Sequence, residues 1–285
     1  MSLNYKRRPH WLKVKVPAGD RFFSLRQMVH QNQLHTVCQS AHCPNIGECW
    51  GRGTATFMIL GDICTRNCRF CAVQPGVPLP VDTDEPRRVA EAVAQLELKY
   101  AVITSVTRDD LSDGGAHLFA STIQEIHKRL PSCEIEVLIP DFQGSADALQ
   151  LVLDAHPTVL NHNLETVPRL YPLARPQANY VRSLELLNRA KKYGATTKTG
   201  LMLGLGETLD EVNTVMTDLR KIDCDILTLG QYMQPGKEYL PIERFVTPEE
   251  FQQLKIKGLQ MGFKLVESAP LVRSSYHADE AMGIV

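Results

Sequence analysis

The sequence predicts an α/β fold, a partial (β/α)6 TIM-type barrel with N- and C-terminal extensions, and three observations lead there. Six short β-prone runs alternate with helical patterns, and such alternation implies parallel strands joined by right-handed crossovers. Each run ends in a polar or glycine-rich stretch, as expected at the C-terminal mouth of a barrel, where reactive groups collect. The first run leads into three closely spaced cysteines, Cys64, Cys68 and Cys71. Six units are too few to close an eightfold ring. At 285 residues and 44% hydrophobic content, the chain can bury the core of one such domain.

Ahead of the barrel, residues 20–37 set Phe22, Leu25, Met28 and Val29 at helical spacing. Strands are expected over residues 56–60, 100–105, 134–139, 159–163, 197–203 and 225–230. Pro86 opens a helix with Val89, Val93 and Leu96 on one face. Leu118, Phe119, Ile123, Ile126 and Leu130 mark the next, stopped by Pro131. Ser145 caps a short helix through Leu149, Val152 and Leu153; another, through Leu184, Leu187 and Ala190, ends at Gly194. Thr208 with Glu211, and Thr247 with Glu250, have capping-box spacing, and Pro248 suits a first helical turn. No internal repeat or low-complexity linker interrupts the series.

The formal net charge of −1 offers no basic stripe for a nucleic acid. No apolar run approaches the roughly 18 residues that read as a membrane span. Lys6, Arg7, Arg8, Lys13 and Lys15 crowd the N-terminus with no apolar segment or cleavage site behind them. They read as a solvated basic arm rather than an export signal, and a cytoplasmic location is expected. The lack of any acidic residue before Asp20 leaves a trimmed organelle transit segment as the alternative.

Six of the eight cysteines fall between Cys38 and Cys71, which points to metal binding in a reducing compartment rather than to disulfides. Cys133 and Cys224 stand alone in apolar stretches and read as small buried hydrophobes. Cys38, Cys43 and Cys49 share a loop made turn-rich by Pro44 and Gly47, able to fold three thiolates toward one point. Zinc with His42 as fourth ligand is the alternative there, although the intervals fit common zinc spacings poorly. Three thiolates from Cys64, Cys68 and Cys71 would fill three corners of a four-iron cube and leave one iron open to chemistry. The later strand mouths add Thr107, Arg108, Asp109, Asp110 and Asp113, then Asp141, Asn161 and His162, and finally Glu207, Gln231 and Tyr232.

The spacing Cys64-x3-Cys68-x2-Cys71, with Phe70 before the last cysteine, resembles the signature of the radical S-adenosylmethionine superfamily. Within it, the chain is similar to the lipoyl synthase family over about residues 11–278. The resemblance rests on the second triad of Cys38, Cys43 and Cys49, on the ending Arg273, Ser274, Ser275, Tyr276, and on four further stretches. These are ATFMILGDICTRNCRFC, VITSVTRDDLSDGG, NHNLE and GLMLGLGET. The resemblance implies two 4Fe–4S clusters and S-adenosyl-L-methionine. Cys64, Cys68 and Cys71 would hold the radical-generating cluster. Cys38, Cys43 and Cys49 would hold an auxiliary cluster, with Ser275 as its fourth ligand and Ser274 as the next candidate.

The implied activity is that of a sulfurtransferase, inserting two sulfur atoms at carbons six and eight of a protein-bound octanoyl-lysine. Those carbons bear no activating group, so acid–base catalysis has nothing to polarise and a radical must remove hydrogen. The auxiliary cluster would be the sulfur donor. Implied partners are octanoylated lipoyl carrier domains, namely the acyltransferase subunits of 2-oxoacid dehydrogenases and the glycine-cleavage H protein. An electron donor such as ferredoxin or flavodoxin is implied too, but no nucleic acid and no membrane.

The same resemblance implies that Phe70, Gly114, Gly115, Asn163, Glu165, Arg182 and Gly204 contact S-adenosylmethionine. For Gly114 and Gly115 only backbone contact is implied, since Ala116 follows where the superfamily often has glutamate. Asn163 reads equally as a buried amide satisfied by turn backbone. Gly204 reads also as a site of close packing, and Arg182 as a helix-surface cation. Residues 1–54 then form an N-terminal extension with the auxiliary loop, 55–262 the barrel, and 263–285 a C-terminal extension that must return to that loop. A radical enzyme performing a different sulfur insertion or methylthiolation, and a zinc-stabilised interaction module, are the alternatives.

Overall fold

Seven parallel strands, one more than the alternating pattern predicts, form the wall of the open barrel. The computed structural model describes residues 8–14, 17–52 and 54–275; Lys6, Arg7, Lys15 and Tyr276, singled out above, lie outside them. The main sheet runs in the order β1 (His35–Thr36), β2 (Thr56–Ile59), β5 (Tyr100–Ser105), β6 (Glu134–Leu138), β7 (Val159–Asn161), β8 (Thr197–Leu203), β9 (Ile226–Gln231) and β10 (Leu265–Ser268). Only β1 is antiparallel to its neighbour. A separate two-stranded pair, β3 (Ile63–Cys64) and β4 (Gln74–Pro75), lies beyond β2.

The two unforeseen strands of the main sheet are short. β1 has two residues, and β10 buries only Val266 and Ser268 of its four. Neither is long enough for a period-two pattern to register. β10 comes from the stretch assigned above to the C-terminal extension, and it pairs with β9 from Leu265↔Ile226 to Ser268↔Leu229.

Helices α4 (Glu85–Gln95), α5 (Ala116–Arg129), α6 (Ala146–Leu153), α8 (Tyr180–Lys192), α9 (Leu209–Lys221) and α10 (Pro248–Gln260) occupy the crossovers. α7 (Tyr171–Ala174) is a short extra turn after β7. Ahead of the barrel stand α1 (Asp20–Gln31), α2 (Val37–Ser40) and α3 (Ile46–Gly51). The caps are those the sequence predicts. Ser145 Oγ accepts from the Ala148 N–H at 3.2 Å, and reciprocal boxes at Thr208/Glu211 and Thr247/Glu250 start α9 and α10. Each satisfies backbone donors that a helix start leaves orphaned. No helix among the described residues is long and apolar enough to cross a membrane.

Strand side chains alternate between the helix layer and the barrel interior. Phe57, Ile103, Ile135 and Val137 join Val93, Phe119, Ile123 and Ile126 of α4 and α5 in one apolar cluster. Leu227 and Leu229 join Val215, Met216 and Phe251 in a second. The alternate positions face inward, where a buried polar network fills the lower barrel. Glu136 Oε2 accepts from Lys198 Nζ at 2.7 Å and from the Tyr100 hydroxyl at 2.8 Å, and Oε1 accepts from Asn161 Nδ2 at 2.8 Å. Above this plug the strand ends stand clear, and there the cysteines gather.

Removing one partner of a buried ion pair strands the other, a loss of about 3–5 kcal/mol, whereas replacing both by apolar groups costs far less. Glu136→Leu is therefore expected to lower the urea midpoint sharply. Adding Lys198→Met should recover most of the loss, as measured by urea denaturation of single and double variants.

Candidate active site

Beyond β2 the backbone reverses through Leu60 and Gly61, both at positive φ, and the Leu60 N–H donates to Glu85 Oε2 at 2.6 Å. The cysteine loop that follows is fastened at every turn. Its two ends are zipped by the β3–β4 pair, and the Gly76 N–H donates to the Cys64 carbonyl at 2.9 Å. The N–H and the hydroxyl of Thr65 both donate to the Thr107 carbonyl, at 3.0 and 2.9 Å, and the Asp109 N–H donates back to Thr65 Oγ1. Arg66 is buried, with Nε and Nη2 on the two oxygens of Asp109 at 2.7 and 2.9 Å, and Nη2 also on Asp141 Oδ1 at 2.6 Å. The Asn67 N–H reaches Gln177 Oε1 and the Arg69 N–H reaches the Ala174 carbonyl, at 2.9 and 2.8 Å. Cys64 Sγ accepts the N–H groups of Arg66 and Thr107 at 3.4 and 3.3 Å.

The auxiliary triad is assembled from both ends of the chain. Cys38 lies on α2, which Thr36 caps, and Cys49 lies on α3. The Cys43 N–H donates to the Cys38 carbonyl at 3.0 Å, and Thr54 Oγ1 donates to the Cys49 carbonyl at 3.0 Å. From the C-terminal side, the Leu271 carbonyl accepts from Asn45 Nδ2 at 2.7 Å, and Ser275 Oγ accepts from Thr56 Oγ1 at 2.8 Å. Cys38, Cys43, Cys49, Arg273 and Ser275 line one small cavity. Ser274 turns the other way and accepts from Asn163 Nδ2 at 2.7 Å.

Burial makes the thiols of Cys38, Cys43, Cys49, Cys68 and Cys71 costly to ionise, and neighbouring cysteines add to that cost in both triads. Burial, with Cys43 beside it, pushes Cys38 up to about 11. Burial with both companions pushes Cys49 up to about 12. Cys43 is raised by burial as well. Burial pushes Cys68 up to about 11, with Arg175 opposing and Cys64 adding to the rise, and Cys71 up to about 12 with Cys68 and Cys64 adding to it. Such groups need a cationic partner to stay deprotonated. Among the described residues, no three His, Cys, Asp or Glu side chains lie close enough to grip a single ion. Three thiolates are the donor set that a four-iron cube takes at three of its corners.

A larger cavity of about 460 Å³ joins the two triads: Phe70 and Cys71 bound it on one side, Cys38 and Cys43 on the other. Asn163 and Glu165, just beyond β7, and Gly200, midway along β8, line it. The amide of Asn163 is held by side chains rather than by turn backbone, with Nδ2 on Glu165 Oε1 and Ser274 Oγ, while its buried Oδ1 has no partner. That oxygen is an acceptor available to a polar ligand in the cavity. Burial raises the Glu165 carboxyl, against the charges of Arg175 and Arg273.

Other predicted site residues stand outside this cavity. Gly114 and Gly115, at φ +61° and +88°, leave room for Phe142 and Leu60, which a Cβ would strike. Gly204 gives way to Gln231 Nε2 and the Arg244 carbonyl. Arg182 reaches Asp141 Oδ2 at 3.3 Å. His42 lines the cavity, whereas His162 is buried between the Ile139 carbonyl and Ser183 Oγ, and burial lowers it to about 4. Two residues not foreseen are Arg66 and Arg175. An arginine inside a buried thiol loop, with aspartates at two neighbouring mouths, is the pattern that points to Arg66.

Residues 58–219 match the radical SAM superfamily, and residues 2–43 match the N-terminal domain of lipoyl synthase of that family. A lipoyl synthase of Chloroflexus aggregans is 54% identical over 284 residues, covering 99% of this chain and 93% of the relative. The chain belongs to the lipoyl synthase family. Another member, from Rubrobacter xylanophilus, is 56% identical over 275 residues, covering 96% of this chain and 86% of its own. Among solved structures, methylornithine synthase shares the fold with a TM-score of 0.56 at 14% identity, over 78% of this chain and 73% of its own. Lipoyl synthases use two 4Fe–4S clusters and S-adenosylmethionine, and the two thiol triads and the open Asn163 oxygen fit that set.

Burial alone would raise the Asp141 carboxyl, but the hydrogen bond and charge of Arg66 override it and hold it at about 2, below its ordinary 3.8. A depressed carboxyl stabilises the fold above its unfolded value and loses that contribution as the pH falls through the folded one. The pair is thus expected to contribute about 2 kcal/mol above pH ~4 that disappears toward pH ~2. Melting curves across that window should show the loss in the parent, and Asp141→Asn should flatten it.

Proposed function

We propose that this chain inserts two sulfur atoms at carbons six and eight of an octanoyl group carried on a lysine of a lipoyl domain. The observation that carries the proposal is the shared cavity, onto which Cys71 of one triad and Cys38 and Cys43 of the other both open. When bound, the cluster at Cys64, Cys68 and Cys71 supplies the electron that splits S-adenosylmethionine to begin hydrogen abstraction, and the cluster at Cys38, Cys43 and Cys49 supplies the sulfur.

The protein's part is to bind, orient and keep water out. Leu201, Met202, Tyr232 and Val272 give the cavity an apolar wall suited to an unactivated alkyl chain. Asn163 and Glu165 present a carbonyl oxygen and a carboxyl at strand mouths, where the polar ends of S-adenosylmethionine would be held. Phe70 lies beside Cys71 on the same wall. Ser275 completes the auxiliary donor set, and its hard oxygen is a weaker holder of iron than a thiolate, which suits a cluster that gives up its parts. For Gly114, Gly115, Arg182 and Gly204 the support is positional: they hold the loops around the cavity at fixed distances.

By role, the chain divides into residues 1–54 with the auxiliary loop, the barrel at 55–262, and 263–285, which contributes both β10 and the closing serines. The carriers belonging to this reading are the acyltransferase subunits of 2-oxoacid dehydrogenases and the glycine-cleavage H protein, with an electron donor such as ferredoxin or flavodoxin. A cytoplasmic setting belongs to it as well, since free thiols at this density call for a reducing compartment.

Anaerobically reconstituted protein, given an octanoylated carrier domain, is expected to yield the dihydrolipoyl product together with 5′-deoxyadenosine. Alanine at Cys38, Cys43 or Cys49 should spare 5′-deoxyadenosine and abolish sulfur transfer, whereas alanine at Cys64, Cys68 or Cys71 should stop both. Loss of both activities in a folded auxiliary-triad variant that keeps its other cluster refutes the division of roles. A methylthio product transfers the chain to a different radical reaction, and two zinc ions without labile sulfide leave an interaction module.

A further inference from the structure

Three arginines are buried among the described residues, and they are not alike. Arg66 is neutralised by Asp109 and Asp141, and Arg108 by Asp110 at 2.8 Å. Arg175 forms no ion pair with any described carboxylate. Its Nη1 donates to the carbonyls of Asn163 and Leu164 at 2.8 and 3.2 Å, and its buried Nε has no partner. The Tyr171 ring also lies against it, 5.3 Å from the guanidinium carbon to the centroid. A guanidinium stays charged wherever a protein puts it, and an uncompensated buried charge is strongly unfavourable.

The position of Arg175 shows where compensation lies. It immediately follows α7, in a segment clamped onto the cysteine loop by the bonds from Arg69 N–H to the Ala174 carbonyl and from Asn67 N–H to Gln177 Oε1. Those two bonds straddle Cys68. The Cys68 thiol feels the Arg175 charge, and so does Glu165, but Glu165 is itself driven toward its neutral form by burial. Arg175 lines neither the shared cavity nor the auxiliary one, so it does not reach a ligand held there.

We propose that Arg175 is the buried counter-charge of the cluster held by Cys64, Cys68 and Cys71, and that it sets that cluster's reduction potential. The inference rests on the assignment of that cluster made above. A four-iron cube held by three thiolates is anionic, and one further electron makes it more so. A fixed cation in low dielectric therefore favours the reduced state over the oxidised one. Arg175 is a positioning residue in a second sense, since its carbonyl bonds also hold the Asn163–Leu164 turn against the same loop.

The test uses the Cys38→Ala, Cys43→Ala, Cys49→Ala background, in which one cluster remains. Its midpoint is measured by dithionite titration followed by electron paramagnetic resonance. Arg175→Gln is expected to move the midpoint to more negative potential, and Arg175→Lys, which keeps the charge but loses the planar fork, to leave it near the parent value. An Arg175→Gln midpoint equal to the parent's overturns the proposal. So does an Arg175→Lys shift as large as that of Arg175→Gln, because geometry rather than charge would then be at work. If Arg175→Gln fails to retain the cluster, Arg175→Lys decides alone: a cluster at the parent potential upholds the role, and loss of the cluster reduces Arg175 to a folding residue. A parent background that binds no four-iron cluster at all overturns the underlying assignment instead.

Discussion

A short loop that must hold three mutually repelling thiolates side by side cannot rely on its own backbone. Arg66, between the first two cysteines, resolves this by reaching across the barrel mouth to Asp109 after β5 and Asp141 after β6. Bidentate contact on one carboxylate and a further bond to the other fix the guanidinium plane, and with it the direction in which the loop leaves β2. Arg182 on α8 then anchors Asp141 from behind. The cysteine positions are thus inherited from the strand ends, whose spacing is set by the parallel ladder itself.

The second triad obeys a different constraint. It is closed by partners remote in the chain, Asn45 with Leu271 and Thr56 with Ser275. A close approach at Gly230 makes room for that closure, since a Cβ there would strike the Val272 carbonyl. One triad is therefore tied to the ends of β5 and β6, and the other is closed between the N-terminal loop, the start of β2 and the C-terminal segment.

Much of this was legible in the sequence because the signals are local. Capping boxes at Thr208 and Thr247, the cap at Ser145 and the cysteine spacings each need only a few residues to be read. The limits are equally physical. β10 and β1 were invisible because two or four residues carry no periodicity of their own and exist only by pairing with a neighbour. Arg175 gave no sign because its meaning depends on what is absent around it: an arginine at the end of a helical turn looks solvated until the fold buries it. Gly114 and Gly115 carry a second meaning the motif did not disclose, since the structure packs Phe142 and Leu60 where a Cβ would stand.

The bond between Asn45 and Leu271 spans 226 positions, which fixes an order of events during translation. On the ribosome, the loop of Cys64, Cys68 and Cys71 and its aspartate anchors emerge long before the final serines. By then the pocket at Cys38, Cys43 and Cys49 lacks the wall that Arg273 and Ser275 give it, and it is completed only when that later segment has emerged.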